Sequence, residues 1–270
     1  MASSLTKGAA VNTIRDIQNL KNSKKQIVAV TAYDFMLGRL AELSGEVDVI
    51  LVGDSVGTTL QGQQTSVPVT LEEMLYHTRI VARSVTKALL VGDMPFLSYQ
   101  VSIEQAITSA GRFLKEGGAH AVKLEGGAYF APTVRALTAS GIPVMGHVGI
   151  LPQSVNQQSG YRIQGKTGSS RDELIQDSLA LAEAGAFAIV LEGVEASCAE
   201  EITKKLSIPT IGIGSGKHCD GQIIVSYDML GITRTVYGRI PGFVTEHANI
   251  GTAVIEGFKA YAQAVRESAK

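Results

Sequence analysis

Four stretches decide the fold: Ile50-Leu51-Val52-Gly53-Asp54, Leu89-Leu90-Val91-Gly92-Asp93, Ala121-Val122-Lys123-Leu124-Glu125 and Ala188-Ile189-Val190-Leu191-Glu192. Each is a short apolar run that stops at a carboxylate. Uninterrupted Val/Ile/Leu runs of this length fit strands buried on both faces, as in parallel sheets covered by helices. A carboxylate at the end of such a strand is costly unless it meets a cation or a substrate. Acids at equivalent strand ends therefore point to one shared site, with a divalent metal as the natural shared partner.

Outward from these runs, strand candidates recur at Ile27–Thr31, Val47–Val52, Ala88–Val91, Ala119–Leu124, Pro143–His147, Phe187–Leu191, Thr210–Ile213 and Gln222–Ser226. Helix-length segments with 3.6-residue spacing lie between most of them, among them Leu71–Val85, Ile103–Glu116, Tyr129–Ser140 and Asp172–Ala184. Strand and helix in alternation imply βαβ units and a parallel sheet. The chain also resembles itself. Glu116 to Gly126 repeats as Glu183 to Gly193, each copy a helix end, a Gly-Ala turn and a strand closing on Glu-Gly. A doubly wound open sheet is the alternative, but no Gly-x-Gly-x-x-Gly opens a helix near the N-terminus. The pattern predicts an α/β fold, a single (β/α)8 TIM barrel over residues 13–270 behind a flexible tail of residues 1–12. About 250 residues is an ordinary size for such a barrel. Thr13–Asn22 is predicted as a helix with Asn12 as its cap.

The bulk composition excludes several classes. With 270 residues, the net charge of −1 argues against nucleic acid, which would want a basic face, and against a charged membrane-binding surface. No apolar stretch reaches the roughly 18 residues of a membrane span, and the N-terminus has no apolar core of a signal peptide. Cys198 and Cys219 are the only cysteines and form no Cys-x-x-Cys, which fits a reducing compartment and a cytoplasmic protein. Hydrophobic residues make up 45% and charged residues 18%. That balance fits a large core or surface buried in an oligomer.

In a parallel barrel all strands open their carboxyl ends onto one mouth, so Asp54, Asp93, Glu125, His147 and Glu192 converge. Asp54, Asp93 and Glu125 are an all-oxygen set suited to Mg²⁺, or to Mn²⁺ in its place. Taken singly, each acid is better explained as a helix cap or an ion-pair partner, whereas the three together at equivalent positions favour the metal. Ser55, between Gly53 and Gly57, either binds an anion such as a substrate carboxylate or caps a helix. Lys123 lies two positions before Glu125 and therefore on the same face of its strand. It either forms an imine or holds a substrate anion as a cation, and the adjacent acids favour the cation. His147 is either a satisfied core histidine or a ligand contact. Glu192, away from the metal set, is a candidate proton-transfer group. Gly212-x-Gly214-x-Gly216 resembles a phosphate cradle.

Taken together these segments resemble the ketopantoate hydroxymethyltransferase family. The resemblance rests on Thr31-Ala32-Tyr33-Asp34, Val52-Gly53-Asp54-Ser55-Val56-Gly57, Gly92-Asp93-Met94-Pro95-Phe96, Val122-Lys123-Leu124-Glu125-Gly126-Gly127, Gly146-His147-Val148-Gly149 through Asn156, Gly160-Tyr161-Arg162-Ile163-Gln164-Gly165 and Asp220-Gly221-Gln222 through Gly231. It implies a barrel of the phosphoenolpyruvate/pyruvate type that is Mg²⁺-dependent. It also implies transfer of a hydroxymethyl group from 5,10-methylenetetrahydrofolate to 3-methyl-2-oxobutanoate through a metal-stabilised enolate. By the same resemblance Asp54, Asp93 and Glu125 match metal positions, directly or through water. Ser55, Asp93 and Lys123 match oxo-acid contacts, and Glu192 matches the proton acceptor. A homodecamer is the implied assembly. The chain departs from the family pattern at Ser215-Gly216-Lys217-His218-Cys219, at Tyr227 and at Val244-Thr245-Glu246. Two other readings stay open: another metal-dependent C–C or P–C lyase or mutase on the same barrel, and a non-catalytic metabolite-binding barrel.

Overall fold

The computed structural model describes residues 11–158, 160 and 162–268. Residues 1–10 of the expected tail lie outside the described residues. Asn12 is not part of a free tail, because its N–H donates to Lys87 O at 2.6 Å and its side chain to Asp48 O at 3.2 Å.

Eight strands form a closed barrel in sequence order: β1 (Ile27–Thr31), β2 (Val49–Val52), β3 (Leu89–Asp93), β4 (Ala121–Glu125), β5 (Val144–Gly149), β6 (Ala188–Glu192), β7 (Thr210–Ile213) and β8 (Gly221–Ile224). From β1 to β8 every neighbouring pair is parallel. The amide of Ile27 donates to Asp220 O at 2.9 Å, at the seam between the first and last strands. Every residue of β2, β3, β4 and β5 is buried, which is why these strands read as continuous apolar runs.

The chain packs as two units, Met1–Ile223 and Ile224–Lys270, where the sequence predicts one domain over 13–270. The first holds α1 (Ile14–Asn22), α2 (Phe35–Ser44), α3 (Val56–Thr59), α4 (Leu71–Ala82), α5 (Ile103–Arg112), α6 (Ala131–Ala139), α7 (Val155–Gln158), α8 (Gly168–Glu183) and α9 (Ala196–Lys205). The second holds α10 (Ser226–Met229), α11 (Ile232–Tyr237) and α12 (Ile250–Ser268). No helix among the described residues is long and apolar enough to cross a membrane.

Helix α1 precedes the barrel, and its cap is Thr13 rather than the expected Asn12. The Thr13 hydroxyl accepts from Asp16 N while the Asp16 carboxylate accepts from Thr13 N, a reciprocal capping box. Asn12 is committed to Asp48 O and leaves that role to its neighbour. The box aims Ile17 into the apolar cluster of the barrel interior, with Ala29, Leu51, Val91, Ala121, Met145 and Val190. Because side chains alternate along a strand, the residue two positions further on shares that interior face. Val91 is followed by Asp93, Ala121 by Lys123 and then Glu125, Met145 by His147, and Val190 by Glu192. The interior is thus apolar at its floor and ionisable at its mouth.

Candidate active site

Strand register brings the predicted residues together in pairs: Asp93 faces Lys123, Glu125 faces His147, and Gly149 faces Glu192. Lys123 Nζ lies 2.8 Å from Asp93 Oδ1, 3.8 Å from Glu125 Oε1 and 3.3 Å from His147 Nδ1. The shared face expected for Lys123 and Glu125 is therefore observed. His147 stands between two acids, with Nδ1 at 3.6 Å from Glu125 Oε1 and Nε2 at 3.4 Å from Glu192 Oε2. Gly149, at φ 103°, allows β5 to approach β6 beside Glu192. A side chain there would meet the Glu192 carbonyl oxygen at 2.2 Å.

Asp93, Glu125 and Glu192 close their strands, whereas Asp54 lies in the turn two residues beyond β2. The turn still delivers it, because the Asp54 amide donates to Asp93 Oδ2 at 3.1 Å. Ser55 occupies the cap position of α3 without making a side-chain capping bond. Its hydroxyl pairs instead with Tyr33 OH at 2.8 Å. Of the two readings for Ser55, the cap is not used.

The match to known proteins follows this geometry. The profile of the family described as ketopantoate hydroxymethyltransferase matches residues 11–269. The chain belongs to the ketopantoate hydroxymethyltransferase family. It is 50% identical over 256 residues to the 3-methyl-2-oxobutanoate hydroxymethyltransferase of Desulforapulum autotrophicum, covering 94% of each chain. It is 48% identical over 255 residues to the protein of that name from Clostridium beijerinckii, covering 94% of this chain and 91% of the relative. Among solved structures, 2,3-dimethylmalate lyase, a PEP mutase/isocitrate lyase superfamily member, shares the fold with a TM-score of 0.60. That match covers 95% of this chain and 100% of the other at 19% identity.

In this ketopantoate hydroxymethyltransferase barrel the electrostatics are severe. Asp54, Asp93, Lys123, Glu125 and His147 are all buried. Burial pushes the Asp93 carboxyl up to about 7, against the pull of Lys123 and with the charge of Asp54 adding to the rise. Burial and then the charge of Glu125 likewise raise Asp54. Burial opposes the charge on Lys123, but Asp93, Glu125 and Asp54 overcome it and hold the ammonium above the ordinary lysine value. For His147, burial and Lys123 act downward, yet Glu125 and Glu192 prevail and raise it to about 9. Nδ1 thus lies between Lys123 and Glu125, while Nε2 faces Glu192.

Asp54, Asp93 and Glu125 are three buried carboxyl groups gathered beside Lys123 and His147, and a divalent cation would stabilise their charged forms against burial. Two carboxylate oxygens of the set, Asp93 Oδ1 and Glu125 Oε1, have no aligned hydrogen-bond donor, although Lys123 is near both. This donor set fits Mg²⁺. Among the described residues no three of His, Cys, Asp and Glu are placed to hold a metal alone. Mg²⁺ commonly binds through one or two carboxylates, with waters and substrate completing the octahedron.

Two further polar residues sit in the site. Gln153, in a short 3₁₀ turn after β5, and Tyr99, in the loop after β3, are both buried and bonded to each other at 3.0 Å. The only sequence signal was Gln153 behind Pro152 within the Gly146–Asn156 motif. The divergent Ser215–Cys219 segment is bonded to the strand and loop of β6. Ser215 Oγ donates to Leu191 O at 2.7 Å and accepts from Val194 N at 2.9 Å, while Cys219 is buried. In the second unit, Glu246 of the divergent tail pairs with Arg234 at 2.8 Å.

Proposed function

We propose that this chain transfers a hydroxymethyl group from 5,10-methylenetetrahydrofolate to 3-methyl-2-oxobutanoate, giving 2-dehydropantoate. The observation that carries the reading is the buried Asp54–Asp93–Lys123–Glu125 cluster at the barrel mouth, in a chain half identical to relatives named for this activity. Asp54 and Asp93, with Glu125 directly or through water, would hold Mg²⁺. When bound, the ion polarises the keto group of the oxo acid and so acidifies the hydrogen on C3.

The chain's own residues do the rest. Lys123, held charged by its three carboxylates, binds the substrate's anionic oxygen as a cation and forms no imine. Ser55, aimed by Tyr33, donates to the substrate carboxylate. Glu192 is less buried than the metal set, with 22% of its side chain exposed, and so has a path both to C3 and to water. It takes the C3 proton, and His147 orients it through Nε2. One methylene C–N bond breaks as the carbon–carbon bond forms at C3, with the proton held by Glu192 passing to that nitrogen; water breaks the second C–N bond, leaving its hydroxyl on carbon and its other proton on the second nitrogen. The folded floor beneath keeps water out of the buried cluster, which strengthens every charge interaction in it.

The cellular reading is a cytoplasmic enzyme that assembles as a homodecamer. The family resemblance implies the decamer, and the exposed apolar stripe of α2, where Met36, Leu40 and Leu43 are 68%, 61% and 65% exposed, supports assembly into an oligomer. Sedimentation of the purified chain at the mass of a smaller species would overturn the decamer.

Incubation with both substrates, with and without Mg²⁺, tests the activity. Mg²⁺-dependent appearance of 2-dehydropantoate is expected, and no product with the metal present would sink the reading. Borohydride added to the same mixture should leave Lys123 unmodified, and a stable reduced adduct on it would reverse its assigned role.

A further inference from the structure

Gln153 bonds two members of the carboxylate cluster. Its backbone N–H donates to Glu125 Oε2 at 3.0 Å. Its side-chain Nε2 donates to Asp54 Oδ2 at 3.0 Å and to Met94 O at 2.9 Å. On the other side of the amide, Oε1 accepts from Tyr99 OH at 3.0 Å and from Gln100 Nε2 at 3.4 Å. These partners fix which way the amide points. Met94 O can only accept, so the NH₂ group must face it, and the same group then faces Asp54. Tyr99 is itself seated on β4, because its hydroxyl accepts from Glu125 N at 3.1 Å and lies 3.0 Å from Glu125 O.

The consequence is an arrangement in which each acid has one oxygen tied down by an uncharged donor. Asp54 is held on Oδ2 by the Gln153 side chain and Glu125 on Oε2 by the Gln153 amide. Asp93 is held on Oδ2 by the Asp54 amide. The opposite oxygens of Asp93 and Glu125 are the ones left without an aligned donor. Asp54 comes from the loop after β2, Met94 from the end of β3, Glu125 from β4, and Gln153 reaches all three from the loop after β5.

We infer that Gln153, aimed by Tyr99, is a positioning residue that sets the separation and orientation of Asp54 and Glu125 for a divalent cation. The inference rests on the proposed metal role of these acids. It adds that their geometry is imposed from β5, by an amide that donates and carries no charge. A fourth carboxylate at this point would be one more acid to bury, and an apolar side chain would leave Asp54 Oδ2 and Met94 O without a donor. Outer-shell partners of this kind commonly account for 10–100-fold in metal affinity.

The test is Mn²⁺ binding, followed by the loss of its free-ion resonance, in the presence of 3-methyl-2-oxobutanoate. Gln153→Met keeps the length of the side chain and the backbone donor to Glu125 while removing the amide. It is expected to weaken Mn²⁺ binding by about 10–100-fold. Tyr99→Phe leaves the amide in place and removes the group that aims it, and is expected to weaken binding by about threefold or more. This second variant carries the test if the first does not fold. A role in packing alone would lower the melting temperature and leave the Mn²⁺ affinity of the folded protein unchanged, and that result overturns the inference while the metal reading stands. No Mn²⁺ binding by the unmodified chain overturns the metal reading and this inference with it.

Discussion

The floor and the mouth of the barrel are made from the same strands, with the same pleat and almost the same burial, and they are chemical opposites. On β3, Val91 is 0% exposed and Asp93 is 1% exposed, while on β5 Met145 is 1% and His147 is 2%. Two residues separate the members of each pair. At the floor, taking a side chain out of water is favourable by about 25 cal/mol for each Å² of apolar surface. At the mouth the same burial strips water from charges, and only well-placed partners offset that loss. The floor therefore contributes stability that the mouth consumes. Changes at the mouth should act on chemistry more than on folding, and changes at the floor should do the reverse.

The largest expected effect is at the mouth. Glu192→Gln keeps the shape of the side chain and removes its basicity, so turnover should fall by about 10²–10⁴-fold, the usual contribution of a general base. Substrate-dependent metal binding should survive, because Glu192 touches His147 and not the Asp54–Asp93–Glu125 set. Steady-state kinetics together with Mn²⁺ titration check both halves. Normal turnover would reduce Glu192 to a structural strand end, and lost metal affinity would show that base and ligand had been divided wrongly.

At the floor, Leu89 stands four residues below Asp93 on the same strand and is 1% exposed. Leu89→Ala should lower folding stability by about 2–5 kcal/mol through lost transfer energy and the cavity left behind. The residue packs in the apolar cluster of the floor, so kcat measured well below the unfolding transition should stay near the unmodified value. A fall of tenfold or more in kcat in the folded variant would show that the two ends are not separable as the burial pattern implies.

This division also explains what could be read from the sequence. The strands were legible because burial on both faces removes the polar alternation that would otherwise blur them. β1 and β7 lie over the residues expected, and the others shift by one or two at their ends. Asp93, Lys123, Glu125, His147 and Glu192 were legible for the same reason: a charge at the end of an apolar run stands out, and register places it. Asp54 was found although it lies past its strand, since the Gly53 turn keeps it beside Asp93. Gln153, Tyr99 and the Tyr33 partner of Ser55 were not legible as neighbours of these residues. They come from loops or element ends, where no periodicity fixes direction, and their contacts span 22 to 99 residues of sequence. The Thr13 cap was missed by one position because its competitor, Asn12, is claimed by a tertiary bond to Asp48 that no local pattern reveals.

The smallest effect sharpens the floor side of the comparison at that cap. α1 seats Ile17 in the apolar cluster, and its first turn is held by the Thr13–Asp16 box on the exposed surface, remote from any charge of the mouth. Thr13→Ala removes the hydroxyl that accepts from Asp16 N and donates to the Asp16 carboxylate, while the Thr13 backbone bond to that carboxylate can remain. The expected loss of stability at neutral pH is about 1 kcal/mol, typical of an N-cap, with kcat unchanged. Its pH dependence has a definite sign. The side-chain and backbone bonds from Thr13 hold the Asp16 carboxyl below its ordinary 3.8, so its contribution is present above that pH and is lost as pH falls through the lowered value. Denaturant unfolding of the unmodified and variant proteins at pH 7 and near pH 3 should therefore show a gap that narrows in acid. A gap that widens in acid would mean that the box holds the protonated carboxyl rather than the carboxylate, and an equal gap would mean that the hydroxyl acts through Asp16 N alone.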